Sequence, residues 1–242
     1  MVYKASTLFA SMDRYFIYVA IVVVLSLIAG ISTLIYLYPP HSQAARSIPS
    51  NSTQVVNSTS VTSTSTQSPI GLLSSLSGAF TVSSAELESL VSYKPPGVLV
   101  NKSSNTIIFT SKTVYLVILA GPSSNVLTFQ VFNLTNPTIE VPLDSTVIIA
   151  VIDVGYLNHS FGITSTPPPY PASVSPDQDP PAFPGSEMPS ALLINGLSPA
   201  SSNIYSGYLL KFNATKPGTY WYLCFVPGHA ASGMYGKFIV YG

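Results

Sequence analysis

From residue 97 onward the chain is a succession of short apolar runs: "GVLV", "TIIFT", "TVYLVILA", "LTFQVFNL", "TVIIAVIDV", "YLLKF", "TYWYL" and "KFIVY". They are rich in β-branched and aromatic residues, and Pro, Gly, Asn and Ser separate them. That composition favours strands, and the punctuation limits each to a few residues. No long run of 3.6-residue periodicity lies between them. Many short strands without intervening helices predict an all-β sandwich or barrel. One short helix is expected ahead of the strands, in "SSAELESLVSY", where Ser83 and Glu86 have capping-box spacing. The proline-dense stretch from Ser165 to Pro189 is too long for an ordinary connection and reads as an ordered surface excursion.

The front of the chain follows other rules. Tyr15 to Tyr38 contains no charged residue, and a bilayer crossing needs roughly 20 apolar residues. We expect residues 1–14 on the cytoplasmic side, a transmembrane helix over 15–38, a Ser/Thr-rich linker over 39–78 and the folded domain over 79–242. Lys4 and Arg14 before the span mildly favour an inside N-terminus. A cleaved signal peptide is the competing reading, with "SQAAR" as the small-residue site, although its apolar core is usually shorter than this run. His41, just beyond the span, reads as a solvated residue. The linker, "NSTQVVNSTSVTSTSTQS" at its centre, cannot bury enough apolar surface to offset its chain entropy and is expected to be flexible. Asn51, Asn57, Asn101, Asn133, Asn158 and Asn213 lie in glycosylation sequons, a pattern that arises easily in Ser/Thr-rich chains.

Charge narrows the functional classes. Asp, Glu, Lys and Arg make up 7% of the chain, against roughly 25% in ordinary soluble proteins. Net charge is zero, which gives no purchase for nucleic acid. The single cysteine, Cys224, excludes a disulfide framework, a Cys-pair redox motif and a four-cysteine cluster.

That cysteine has company. In "CFVPGHAASGM", His229 follows Cys224 by five residues and Met234 follows His229 by five. Strand alternation puts Tyr220, Tyr222 and Cys224 on one face, taken as the core side. The turn then returns an imidazole and a thioether towards the thiol. His159, after the strand "TVIIAVIDV", is the expected second imidazole. One thiolate, two imidazoles and a weak thioether form the ligand set of a blue-copper centre. Each residue alone has an ordinary reading: Cys224 as a small buried hydrophobe, Met234 as core filler, His159 as a satisfied polar residue. Their gathering in a chain with three histidines and four methionines favours the metal. Met188 is a rival axial donor. Zinc accepts Cys and His but rarely a thioether.

These residues resemble the cupredoxin family, and within it the rusticyanins. The likeness rests on "NPTIEVP", on "NHSFGIT" followed by "PPPY", and on "PGTYWYLCFVPGHAASGMYGKFIV". Ser160, after the first histidine, is similar to the rusticyanins where many cupredoxins have Asn. The anchor and stalk are more similar to the sulfocyanins. The resemblance implies a Greek-key β-sandwich and one type I copper held by His159, Cys224, His229 and Met234. It also implies single-electron transport on the extracytoplasmic side of the cell membrane, in acidophile respiration, with iron oxidation a candidate process. A cytochrome or a terminal oxidase complex is the expected redox partner, and the chain is expected to be a monomer. A copper-storage module is the alternative; a multicopper oxidase would need far more histidines, and a metal-free adhesion sandwich would leave the cluster without a purpose.

Overall fold

The computed structural model describes residues 68–242. Two six-stranded mixed sheets face each other. The elements in chain order are α1 (Pro69–Ser75), β1 (Gly78–Ser83), α2 (Ser84–Ser92), β2 (Val98–Asn101), β3 (Thr106–Phe109), β4 (Thr113–Ala120), β5 (Phe129–Val131), β6 (Leu134–Thr135), β7 (Thr138–Pro142), β8 (Ser145–Asp153), β9 (Gly162–Thr164), α3 (Ser190–Asn195), β10 (Ile204–Ala214), β11 (Gly218–Leu223) and β12 (Tyr235–Tyr241). The first sheet runs β1-β10-β8-β4-β5-β6 and the second β2-β3-β7-β12-β11-β9. Three pairs are parallel: β4 with β8, β3 with β7, and β7 with β12. Among the described residues the expected β architecture is therefore present, with the expected helix α2 and two further short helices, α1 and α3.

Alternation explains the main core. Along β4, Val114, Leu116, Ile118 and Ala120 are buried and their neighbours are not. They meet Ile107, Ile139, Phe238 and Tyr222 of the opposite sheet. On β8 the alternation fails from Ile149 onward, where every residue is buried. The reason is a second apolar cluster on the outer side of that sheet. There Leu72, Leu73, Val82 and Leu90, from the segment before β2, cover Ala150 and Ile152. The capping box of α2 forms as expected, with the Ser83 N–H donating to the Glu86 carboxylate at 2.8 Å.

Four expectations need adjusting. The stretch read as linker, 39–78, includes α1, whose Leu72 and Leu73 are buried. "LTFQVFNL" is a hairpin and not one strand: Phe132 and Asn133 take φ of 47° and 63°, the two left-handed residues of a tight turn. "YLLKF" is the middle of an eleven-residue strand. The proline-dense stretch buries Tyr170, Val174, Phe183 and Met188, so it is part of the core as well as a surface strap. The expected span over 15–38 lies outside the described residues; among the described residues no helix is long and apolar enough to cross a membrane.

Candidate metal centre

His159 is placed by the end of β8. Asp153, the last residue of that strand, is fully buried, and its carboxylate accepts the Gly155 N–H and the His159 N–H, each at 3.0 Å. These two bonds close the loop 153–159. The carbonyl of His159 accepts the Leu197 N–H at 2.7 Å, which fastens the residue from the other side. Its ring is fully buried, and neither ring nitrogen has a hydrogen-bond partner. The ring's Nε2 edge lies against backbone. A Cβ at Gly121 would come within 2.3 Å of Nε2, and one at Gly155 within 3.2 Å, so only glycine admits the imidazole there. Burial, helped by the nearby His229, pulls the His159 pKa down to about 4. Burial also raises Asp153 to about 7, despite its two N–H donors.

Cys224 follows β11, and the core face expected for Tyr220, Tyr222 and Cys224 is observed. Its Sγ accepts the Ser160 N–H at 3.3 Å and lies 3.7 Å from the Ser160 hydroxyl, whose oxygen accepts the Phe225 N–H at 2.9 Å. Ser160 therefore ties the His159 loop to the Cys224 strand. Burial pushes the thiol pKa up, while the Ser160 N–H and hydroxyl and the Val226 N–H act against that rise.

The turn beyond Cys224 is laced by its own backbone. The Met234 N–H donates to the His229 carbonyl at 3.0 Å, and the Met234 carbonyl accepts the Cys224 N–H at 3.1 Å. The Gly228 N–H reaches the Ala172 carbonyl of the proline strap at 2.6 Å. Gly, Ala and Ser dominate the turn and allow this compactness.

The outcome is one cluster. Donor atoms of His159, Cys224 and His229 lie within 4.8 Å of one another. His229 Nδ1 is 3.4 Å from the Cys224 sulfur, and the two imidazole centroids are 5.1 Å apart. His159 is sealed, whereas His229 is half-buried. Met234 is fully buried and joined to Cys224 and His229 through its backbone; Met188 is instead bonded to the Phe161 carbonyl. A buried imidazole with two unpartnered nitrogens is costly unless something accepts its lone pair. A soft cation between imidazoles and a thiolate does so, and copper fits this donor set.

Sequence reasoning passed over Asp153 and Glu187, which no local motif sets apart. The Glu187 backbone bridges to Gly162, and one of its carboxyl oxygens is sealed without a partner.

Comparison with known proteins agrees with this geometry. The sulfocyanin (SoxE) domain family matches residues 100–242. Rusticyanin of Acidithiobacillus ferridurans is 36% identical over 140 residues, 57% of this chain and 68% of that protein. A rusticyanin of Acidithiobacillus ferrooxidans is 34% identical over 140 residues, covering 57% and 83%. Among solved structures, rusticyanin from Thiobacillus ferrooxidans superposes with a TM-score of 0.54 at 26% identity, over 69% of this chain and 99% of that one. Reduced rusticyanin gives a TM-score of 0.56 at 27% identity, over 68% and 97%.

Proposed function

The chain belongs to the cupredoxins, among the sulfocyanins and rusticyanins, and its cofactor is one type I copper; on that premise we propose that it carries single electrons outside the cytoplasm while anchored by its N-terminal segment. In this reading His159, Cys224 and His229 would hold the copper and Met234 would be its weak axial donor. The observation that carries it is the sealed His159 ring, with two unpartnered nitrogens, beside a buried thiol and a second imidazole.

Bound copper supplies a one-electron couple. The protein's part is to keep the ligands still while that electron moves. The Asp153 clamp holds His159, Ser160 holds the Cys224 sulfur, and the backbone of the turn holds His229 and Met234. Little ligand movement means little reorganisation on each transfer. His229 is the half-exposed member, so its edge is where an electron would enter and leave. The turn around it, 225–235, bears no Asp, Glu, Lys or Arg. An uncharged patch of small residues permits close approach by a cytochrome or a terminal oxidase complex.

Residues 1–14 lie in the cytoplasm, 15–38 span the membrane and 39–78 include the stalk in this proposal, with the copper domain, 79–242, in an acidic exterior and the chain acting as a monomer. A place in acidophile respiration, with iron as the ultimate electron source, follows from the same kinship. The scarcity of charge supports an acidic setting, because few salt bridges are lost when carboxylates protonate.

The deciding experiment is the visible spectrum of the oxidised, copper-loaded protein with repeated reduction and reoxidation. An intense thiolate-to-copper band that bleaches and returns is expected. Copper binding without that band, or without cycling, would replace the carrier by a storage module.

A further inference from the structure

Asn136 is the residue before Pro137, in the connection between β6 and β7. Its backbone is left-handed, with φ of 44°, a conformation that asparagine tolerates better than most side chains. Its carboxamide is used at both ends. Oδ1 accepts the Phe129 N–H at 2.8 Å, and Nδ2 donates to the Gly233 carbonyl at 2.9 Å, 97 residues away. The Asn136 N–H also donates to the Phe129 carbonyl at 2.9 Å. Phe129 begins β5 in one sheet, and Gly233 lies two residues before the start of β12 in the other. The side chain thus bridges the sheets at the copper end. Tyr222 secures the bridge from beneath, its hydroxyl donating to the Pro137 carbonyl at 2.6 Å.

Gly233 and Met234 share one peptide unit. Its carbonyl is held by Asn136, and its N–H by the His229 carbonyl at 3.0 Å. Held at both edges, that unit cannot rotate about its flanking bonds. Among the described residues, the other backbone bonds that fix the turn come from within it, from Cys224, from the strap, or, at Phe225, from the Ser160 hydroxyl. Asn136 alone reaches it from the β5 side by a side chain.

We infer that Asn136 is a positioning residue for the axial end of the copper site, its carboxamide fixing the peptide from which the Met234 thioether hangs. This rests on the reading of Met234 as the axial donor. A weak axial bond has little stiffness of its own, so its length is set by the backbone that carries it. Freeing the peptide lets the thioether drift and alters the copper spectrum and potential without removing a ligand.

Three measurements test this. Asn136→Gly keeps the left-handed backbone and deletes both side-chain bonds. In the copper-free variant, amide exchange at Met234 and Tyr235 is expected to quicken about tenfold, the effect of losing one hydrogen bond worth about 1.4 kcal/mol. In the copper-loaded variant the ratio of the visible bands and the potential are expected to shift. Asn136→Asp retains the acceptor but can donate to the Gly233 carbonyl only when protonated. It is expected to match the wild type well below the ordinary carboxylate range and to depart from it above, with a titration absent from wild type and from Asn136→Gly. If the glycine variant does not fold, the aspartate titration alone decides. Unchanged exchange and spectra in Asn136→Gly, or an aspartate variant indifferent to pH, overturns the inference. A wild type without the blue band overturns the carrier reading instead, and the copper-free exchange still tests the clamp.

Discussion

The two segments that bring imidazoles to the site are built on opposite plans. Residues 153–160 hold His159 by side-chain and inter-strand bonds, within walls that leave no room for a Cβ at Gly121. Residues 224–234 hold His229 by short-range backbone bonds within a half-open turn of small residues. The same chemical group is thus sealed on one side and presented on the other. Rigidity and access, which conflict in a single segment, are divided between two.

The largest expected effect removes what both segments share. Cys224→Ser should abolish the thiolate-to-copper band, since a hydroxyl cannot replace a soft sulfur donor; a persistent blue band would displace Cys224 from the site. Next comes the contrast itself. His229→Gly should regain a blue spectrum when free imidazole is added, whereas His159→Gly should not, because its pocket is closed. Rescue of both, or of neither, would break the distinction. Third, Asp153→Ala leaves two buried N–H groups without acceptors and should lower stability by about 3 kcal/mol. Ser232→Ala, on the exposed side of the turn, should cost far less in the same denaturation experiment.

The fourth prediction concerns pH. Burial, with Asp179 nearby, raises Glu187 from its ordinary 4.5 to about 8. Its contribution to stability is therefore complete below about pH 4.5 and is lost as pH rises through about 8. His159, lowered from 6.5 to about 4, contributes stability above about pH 6.5 that is lost as pH falls through about 4. Asp153, raised from 3.8 to about 7, follows the same rule as Glu187: its contribution is complete below about pH 3.8 and is lost as pH rises through about 7. In the copper-free protein the two carboxyls together outweigh the rise from His159 between about pH 4.5 and 6.5, and of these groups only Glu187 still declines between about pH 7 and 8. Copper loading, which withholds the imidazole nitrogens from protons in the folded state only, should raise stability and extend the acid limb below about pH 4, and Glu187→Gln should flatten the decline between about pH 7 and 8. Denaturant midpoints across about pH 2 to 9 check both; a decline between about pH 7 and 8 that survives Glu187→Gln would assign it to another group. The smallest spectral effect is expected of Ala231→Asp. It should slow electron exchange with a partner and leave the absorption nearly unchanged. Indifference of that rate would move the port away from His229.

Much of this was legible in the residues because it depends on local pattern. Runs of β-branched and aromatic residues marked β4 and β8, and the capping box marked the start of α2. The spacing of Cys224, His229 and Met234 announced a turn returning donors to one point. What was hidden depends on distant contacts. Nothing local distinguishes Asp153 from any acid at a strand end; only the fold shows its carboxylate spanning six residues to His159. Asn136 was visible within "NPTIEVP", but its partner Gly233 is 97 residues away. Phe132 disguised a hairpin because an aromatic residue in a left-handed turn mimics a continuing strand. Helix α1 was obscured by polar neighbours, its two buried leucines making sense only against Ala150 and Ile152.

The covered outer face of the first sheet has a mechanical consequence. A pull entering at Ser68 meets α1 first and then the ladder between β1 and β10, six residue pairs from Gly78–Leu209 to Ser83–Ile204. Those elements would bear the load first: β1 is the edge strand of its sheet, whereas β8 lies two strands further in, and β11 and β12 belong to the other sheet. Drag on the leading segment would therefore strip a sacrificial layer, wetting Ala150 and Ile152, before strain reached the strands that carry His159 and Cys224. The extension would thus take up mechanical strain ahead of the metal centre.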